Sequence, residues 1–221
     1  MPQERFHQAT SLPGGFSLVE LAVVLATLAI LSALAYESLG GLRARAESRN
    51  GVREIEALLR RARSEAFARG ASVVFFLHPA ASGGTEFGAV VDNAGTFDPA
   101  NIDASIGPAD VVLDRQPVPP GVFFRDPTSP VLAQPLPAPF DHLPANTPCT
   151  FCDTPGALVV VFRSDGTAAL GVNPAAHPMG GAFSLVAVDP DQGLTADDGK
   201  SLDHETIAVL SRTGTIASFD R

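Results

Sequence analysis

The sequence predicts an α+β protein in which a long N-terminal helix is followed by an antiparallel β-sheet or sandwich domain. Proline carries most of this prediction, because positions 14–78 contain none and seventeen of the nineteen prolines lie from Pro79 onward. Proline disrupts helix interiors, so the first third is expected to be helical and the rest to consist of strands and loops. With 45% apolar residues among 221, the chain is large enough for one domain with a core and an appendage.

The first half of the helix is apolar. Residues 16–36 read FSLVELAVVLATLAILSALAY and contain no charge apart from Glu20. At a rise of ~1.5 Å per residue, about twenty helical residues cover the ~30 Å hydrocarbon core of a bilayer. We therefore expect a membrane-spanning helix. A secretory signal peptide, cut at the small-residue pattern in SALAY, and a buried helix of a soluble protein are the alternatives.

The second half of the helix, residues 37–70, is amphipathic. Apolar residues recur there at steps of three and four, which is the spacing of one helix face. These residues are Val52, Ile55, Leu59, Ala62 and Ala66. Glu56 with Arg60, and Glu65 with Arg69, have the i,i+4 spacing of favourable ion pairs. A cation in the last turn followed by Gly70 predicts the end of the helix.

The remainder reads as short strands separated by turns. Runs of β-branched and aromatic residues bounded by turn residues predict strands. The predicted strands are 72–77, 86–91, 111–113, 121–125, 157–163, 167–171, 182–188, 205–210 and 214–219. Asp165-Gly166 and, more weakly, Thr213-Gly214 predict hairpin turns between neighbouring strands. Eleven prolines lie within residues 117–155, and this density predicts a long, stiff surface loop without regular helix or strand.

Glu20 is the residue that a membrane helix does not explain. An ionised group within a membrane segment costs several kcal/mol unless it is paired, and this segment contains no basic neighbour. A carboxylate that reaches the surface near the helix end is one interpretation. The other is a positive partner from a different chain, such as a free α-amino group created by cleavage nearby.

The segment Gly15-Phe16-Ser17-Leu18-Val19-Glu20 resembles the recognition site of type IV prepilins and pseudopilins. In that family a short leader ends in Gly, the next residue is Phe, and Glu is fifth in the mature chain. The resemblance implies that an inner-membrane prepilin peptidase cleaves between Gly15 and Phe16 and N-methylates Phe16. It also implies that Glu20 neutralises the methylated amine of an adjacent subunit during assembly.

A second motif resembles a narrower group. Ala62-Arg63-Ser64-Glu65-Ala66 near the end of the helix, followed directly by the strand SVVFFL, is similar to the GspH/FimT group of minor pseudopilins and minor pilins. FRSDGTAAL and IAVLSRTGTIASF resemble that group's closing strands. The resemblance covers residues 13–78 well and 157–219 loosely, and it does not cover the middle.

Together these resemblances imply a type IV pilin-like fold with four parts. Residues 1–15 would be a prepilin leader, 16–36 a transmembrane and filament-core helix, 37–70 the amphipathic half of the helix, and 71–221 a periplasmic β-rich domain. The chain would be a single-pass protein of the bacterial inner membrane that enters a pseudopilus or pilus. Its expected partners are other pseudopilins or pilins, the prepilin peptidase, the inner-membrane assembly platform and membrane lipid.

The two cysteines, Cys149 and Cys152, lie in the sequence PCTFCDTP. A thioredoxin-like site would place a helix after the first cysteine, and the flanking prolines disfavour one. Zinc would need two further ligands, and only His142 is near in sequence. The topology implied by the resemblance puts this domain outside the cytoplasm, where disulfides persist. We therefore favour a local disulfide over these alternatives.

The acidic segment DPDQGLTADDGKSLD at 189–203 is a weak calcium candidate. Its carboxylates supply the hard oxygen ligands that calcium prefers. The candidates are Asp189, Asp191, Asp197, Asp198 and Asp203. The segment lacks the ligand spacing and terminal Glu of an EF-hand loop. A solvated loop is the preferred interpretation, and we expect no metal or other cofactor.

Charge and motifs separate three functional hypotheses. Residues 42–69 carry a net charge of +4, whereas residues 70–221 carry −11, which disfavours a general grip on nucleic acid. The preferred hypothesis is a minor pseudopilin or minor pilin that acts in filament assembly and protein secretion. DNA capture through Arg212 and Arg221, as in some FimT-like minor pilins, is the second. A membrane-anchored periplasmic enzyme is the third, although the five scattered histidines form no catalytic motif and no phosphate-binding loop is present.

Overall fold

The computed structural model describes residues 17–80, 83–98, 100–119, 122–124, 136–143, 149–152, 157–187 and 203–220. Within these ranges the description omits the side chains of 34–45, 47–49, 123–124, 186–187, 203–204 and 220. Residues Met1–Leu42 and Arg43–Arg221 form two compact units, and each is described by itself.

Helix α1 comprises Leu18–Arg69, so it begins in the first unit and ends in the second. It ends where the sequence predicts. Gly70 adopts φ +66°, a left-handed conformation that a side chain disfavours, and its N–H donates to the carbonyl of Ala66 at 3.1 Å. Both predicted ion pairs form, with Arg60 and Arg69 each 2.6 Å from the carboxylate four residues earlier. The hydrogen bond from Arg69 lowers the pKa of Glu65.

In the described residues, nine strands form two antiparallel sheets, and each predicted strand has its counterpart. The strands of the first sheet are β1 Ser72–Pro79, β2 Thr85–Asp92, β3 Val111–Pro117, β5 Leu158–Phe162 and β6 Ala168–Leu170. Those of the second sheet are β4 Val122–Phe124, β7 Gly181–Ala187, β8 Asp203–Val209 and β9 Ile216–Asp220. The spatial order is β3-β2-β1-β5-β6 in the first sheet and β4-β7-β8-β9 in the second. Two short helices, α2 (Ile102–Ser105) and a 3-10 turn (Pro174–Ala176), lie between strands.

The main core lies between the helix stripe and the inner faces of both sheets. All five predicted stripe residues are buried, with Ile55 and Leu59 fully inaccessible. They belong to one cluster with Phe75 of β1 and Phe183 of β7. Because burial of apolar area gives roughly 25 cal/mol per Å², this shared core stabilises the packing of the helix on the two sheets.

Strand β1 is buried on both faces, which explains why SVVFFL is continuously apolar rather than alternating. Val73, Phe75 and Leu77 point into the main core, whereas Val74 and Phe76 belong to a second cluster on the outer face of the sheet. Ile102 of α2 covers this outer cluster, with Phe97 and Ile106 packed against it.

The proline-rich stretch 117–155 departs from its prediction in two ways. Strand β4 forms inside it and pairs with β7. This confirms the strand predicted at 121–125, where residues 121–126 contain no proline, and shows that the prediction of no regular structure across the whole of 117–155 was wrong. The stretch is also not wholly a surface loop, because Leu136, Phe140 and Leu143 are buried. They pack in one cluster with the small buried residues Ala182 of β7 and Ala208 of β8, on the outer face of the second sheet.

Candidate functional site

Ser17 and Glu20 exchange two hydrogen bonds at the start of α1. The backbone N–H of Glu20 donates to Oγ of Ser17 at 3.2 Å, and the backbone N–H of Ser17 donates to Oε2 of Glu20 at 3.1 Å. This reciprocal arrangement is a capping box, and it satisfies two donors that the start of a helix otherwise leaves without partners. Glu20 therefore stabilises the start of its own helix.

The capping role was missed at the level of sequence, although Ser-x-x-Glu before an apolar run is its recognised signal. It does not compete with the predicted intermolecular role. An ionised carboxylate has two oxygens with about four acceptor sites, and the capping bond engages Oε2 alone. Glu20 is exposed, and its second oxygen has no hydrogen-bond partner among the described residues, so this oxygen can accept a bond from a cationic donor of another chain.

The helix that follows Glu20 presents apolar side chains on its whole circumference. Successive helical residues point in different directions, yet the large aliphatic side chains between 18 and 31 are all exposed. They are Leu18, Val19, Leu21, Val23, Val24, Leu25, Leu28, Ile30 and Leu31. With Leu18 84% and Ile30 62% exposed, this segment, here named the apolar segment (residues 18–31), has the character of a helix that lipid or other helices surround.

The predicted cleavage position and the predicted membrane span are the two remaining parts of the candidate site. Gly15 and Phe16, which flank the predicted cleavage position, lie outside the described residues. In the described part of the chain, no helix reaches the combination of length and apolarity that a membrane crossing requires.

Cys149 and Cys152 are joined in a disulfide, with their Cα atoms 5.7 Å apart. The loop that they close is attached to the second sheet. The N–H of Thr150 donates to the carbonyl of Ala182 at 2.9 Å, and Oγ1 of Thr150 accepts from the N–H of Ala182 at 2.9 Å. Phe151, between the cysteines, is 1% exposed and packs edge-on against Phe183 in the main core.

Reducing this disulfide should lower the free energy of unfolding by about 2 kcal/mol without abolishing the fold, because closing so short a loop removes little entropy from the unfolded chain. Urea unfolding of the Cys149→Ser/Cys152→Ser double variant should give the same decrease, with and without reductant. A loss of about 5 kcal/mol or more would mean that the disulfide holds the fold rather than the loop.

The calcium candidates Asp189, Asp191, Asp197 and Asp198 lie outside the described residues. The backbone of Asp203, the first residue of β8, is described and pairs with Ala187. Of the residues named for DNA capture, Arg212 is exposed, and Arg221 lies outside the description.

A polar cluster that the sequence did not predict lies on the outer face of the first sheet. His78 of β1 and Glu86 of β2 are opposite each other in the register, and Nε2 of His78 lies 2.8 Å from Oε1 of Glu86. Arg115 of β3 donates to the carboxylates of both Glu86 and Asp103. These bonds raise the pKa of Arg115 and connect α2 to the sheet.

The same cluster could be read as a metal site, since one donor atom each of His78, Glu86 and Asp103 lie within 4.8 Å of one another. Histidine and carboxylates are ordinary ligands of divalent metals. Arg115, however, already brings a positive charge to both carboxylates. We therefore interpret the cluster as a structural contact that attaches the segment around α2.

The absence of a side chain at Gly88 leaves the space that Phe76 and Arg115 occupy next to this cluster. A Cβ at Gly88, which is opposite Phe76 and Arg115 in the register, would lie 2.6 Å from the Phe76 ring and 2.8 Å from the carbonyl oxygen of Asp114. Arg115 crosses the ring of Phe76 with Cζ 5.9 Å from the centroid. In the sequence, the only sign of this polar cluster is one glycine within a strand. Residue patterning alone therefore could not identify the cluster.

The model of the family described as Type II transport protein GspH matches residues 51–196. The match begins in the second half of α1 and extends through the proline-rich stretch, which the resemblance read from the sequence did not cover. No curated protein and no solved structure gives a significant match.

Proposed function

From the premise that this chain belongs to the family of the type II transport protein GspH, we propose that it is a minor pseudopilin of a type II secretion system. The family association implies a component of the pseudopilus at the cell envelope that associates with other pseudopilins. It also supports a structural rather than an enzymatic role. The helix followed by antiparallel sheets is consistent with a pilin-like fold.

The observation that carries the proposal is the apolar segment. Nine large aliphatic side chains that are all exposed in the described part of the chain would present far more apolar surface than soluble proteins usually tolerate. Burial in lipid before assembly, and among neighbouring helices after assembly, removes that surface from water at about 0.8 kcal/mol per CH₂ group. A subunit that moves from membrane to filament needs a helix with this character.

The remaining steps of the proposal concern the residues around the helix start. A prepilin peptidase cleaves between Gly15 and Phe16 and methylates the new amine of Phe16, which keeps its positive charge as methylated amines do. The chain is then held in the inner membrane by residues 16–36 with the β domain in the periplasm. During assembly, Glu20 pairs with the amine of Phe16 in an adjacent subunit.

A secretion pseudopilin and a pilus subunit use the same N-terminal chemistry, so the N-terminal motif does not distinguish them. Deletion of the gene does, because the two lose different functions. For a secretion pseudopilin, we expect proteins that normally leave the cell to accumulate in the periplasm, while surface pili remain. Immunoblots of medium and periplasm, with microscopy of surface filaments, measure both. Normal secretion combined with loss of pili would assign the chain to a type IV pilus instead.

A further inference from the structure

An open cavity of about 280 Å³ lies at one end of the β domain. Two turns form it, one between β5 and β6 and one after β8, together with the segment that precedes β7. Arg163, Asp165, His177 and Arg212 provide its charged and titratable groups, and Ala168 and Pro174 provide apolar lining. The cavity therefore combines two guanidinium groups with small apolar surfaces.

Backbone contacts hold the three segments in place. The N–H of Ala168 donates to the carbonyl of Ser211 at 2.7 Å, and Oγ of Ser211 donates to the carbonyl of His177 at 2.9 Å. The ring of His177 packs edge-on against Phe151 of the disulfide loop, with centroids 6.2 Å apart. The walls are thus fixed by hydrogen bonds and by a buried aromatic residue.

Asp165, the one carboxylate among the described residues that line the cavity, is engaged in its own turn. Oδ1 of Asp165 accepts hydrogen bonds from the backbone N–H of Thr167 at 2.9 Å and from its hydroxyl at 2.7 Å. These bonds hold the pKa of Asp165 below its usual range, with a smaller contribution from the charge of Arg163. Asp165 therefore remains ionised at neutral pH and serves the hairpin turn.

The two arginines have no comparable engagement. Among the described residues, no carboxylate oxygen lies within 4.0 Å of the guanidinium of Arg163 or Arg212, and both side chains are exposed. Residues 70–221 contain only six basic residues against seventeen acidic ones. The cavity therefore brings two positive charges together in a domain whose net charge is negative.

We propose that this cavity binds a carboxylate of a partner protein, with Arg163 and Arg212 as its hydrogen-bond donors. Guanidinium groups form strong, charge-assisted and often bidentate bonds to carboxylates. The apolar lining of Ala168 and Pro174 accommodates the methylene or methyl groups next to that carboxylate. Neither family membership nor the role of Glu20 enters this proposal, so it stands or fails separately from the proposed function.

The charge of the surrounding domain favours an isolated carboxylate over a nucleic acid. A nucleic acid places a charge at every phosphate and is bound by extended basic surfaces. Here residues 70–221 carry a net charge of −11, which would repel most phosphates of a nucleic acid. A single carboxylate of a partner protein needs to contact only the two arginines of the cavity.

The test is a ligand-observed NMR titration of the full chain, purified in non-ionic detergent, with three N-acetylated tripeptides. The first is acetyl-Ala-Glu-Ala-amide and the second its Gln counterpart. The third is acetyl-Ala-Ala-Ala with a free terminal carboxylate. We expect the Glu peptide to bind at least about tenfold more tightly than the Gln peptide, since tenfold corresponds to one charge-assisted bond. Tight binding of the third peptide instead would identify a chain terminus as the source of the same carboxylate.

Variants assign the binding to the cavity. Arg163→Gln and Arg212→Gln should each weaken binding of the preferred carboxylate peptide about tenfold or more, whereas Arg53→Gln, an exposed arginine of α1 outside the cavity, should not. Unchanged thermal unfolding of the variants would establish that they fold. Equal affinity of wild type for the Glu and Gln peptides, with no binding of the terminal carboxylate, would overturn the proposal without recourse to variants. So would preferential, salt-sensitive binding of a single-stranded oligonucleotide that depends on the same two arginines.

Discussion

Substituting Glu20 by Gln is expected to lower incorporation of the chain into the filament at least about tenfold while leaving the helix start intact. Gln also serves at the third position of a capping box, so the bond to the N–H of Ser17 can be kept. The negative charge is lost, and a hydrogen bond to a charged group contributes about 1.5–3 kcal/mol. Immunoblots of sheared filaments and of membranes measure incorporation and insertion separately.

The matched control removes the cap on the helix start and keeps the charge of Glu20. In Ser17→Ala the side-chain cap on the N–H of Glu20 is removed, at a cost of about 0.5–2 kcal/mol to the helix start, while the carboxylate of Glu20 stays. We expect near-normal incorporation. The opposite pattern, in which Ser17→Ala fails to assemble and Glu20→Gln assembles normally, would show that capping, and not charge pairing between subunits, is what assembly requires of Glu20.

Substituting Leu59 by Ala should reduce the free energy of unfolding of the second unit, Arg43–Arg221, by about 2–5 kcal/mol. Leu59 is fully buried in the main core between the helix and the sheets, and truncating such a residue loses transfer energy and leaves a cavity. A domain of this kind has a total stability of only about 5–15 kcal/mol. Urea unfolding of the full chain in non-ionic detergent measures the change.

Arg60→Ala provides the control one position along the same helix. Arg60 is exposed and pairs with Glu56, and an i,i+4 pair contributes about 0.2–0.5 kcal/mol. A Leu59→Ala variant no less stable than Arg60→Ala would contradict the packing of the stripe on the sheets. The contrast tests which face of α1 is buried, independently of any filament.

The sequence predicts the elements well because their signals are local. The helix stripe follows from the spacing of Val52, Ile55 and Leu59, and its end from Gly70, whose left-handed conformation needs no distant partner. Most strands are β-branched or aromatic runs bounded by turn residues, with the Ala-Ala-Leu of β6 as an exception. These are periodicities and turn preferences of neighbouring residues, so no knowledge of the tertiary structure is needed.

What the sequence does not predict depends on residues far apart in the chain. The burial of Leu136 and Phe140 requires the small Ala182 and Ala208 on the opposing sheet, and proline density alone predicts an exposed loop there. His78, Glu86, Asp103 and Arg115 meet only because three strands and α2 bring them together. The paired arginines of the cavity likewise come from two separate turns.

The candidate assembly site is an intermediate case. Its motif, from Gly15 to Glu20, is readable as a string of residues, and the apolar segment is readable by composition. Its proposed partner, an amine that would be created by cleavage, would belong to another subunit and so cannot be found within one chain. The structure adds the capping box, which gives Glu20 a second, separable role.

Mass spectrometry of the protein isolated from its native cell tests the central claim most directly. If a processed amine is the counter-charge for Glu20, the mature chain begins at Phe16 and carries one N-methyl group on that residue. A mature chain that still begins at Met1, or that is cut beyond residue 36 after the SALAY pattern, would leave Glu20 without its proposed partner and contradict the assembly mechanism.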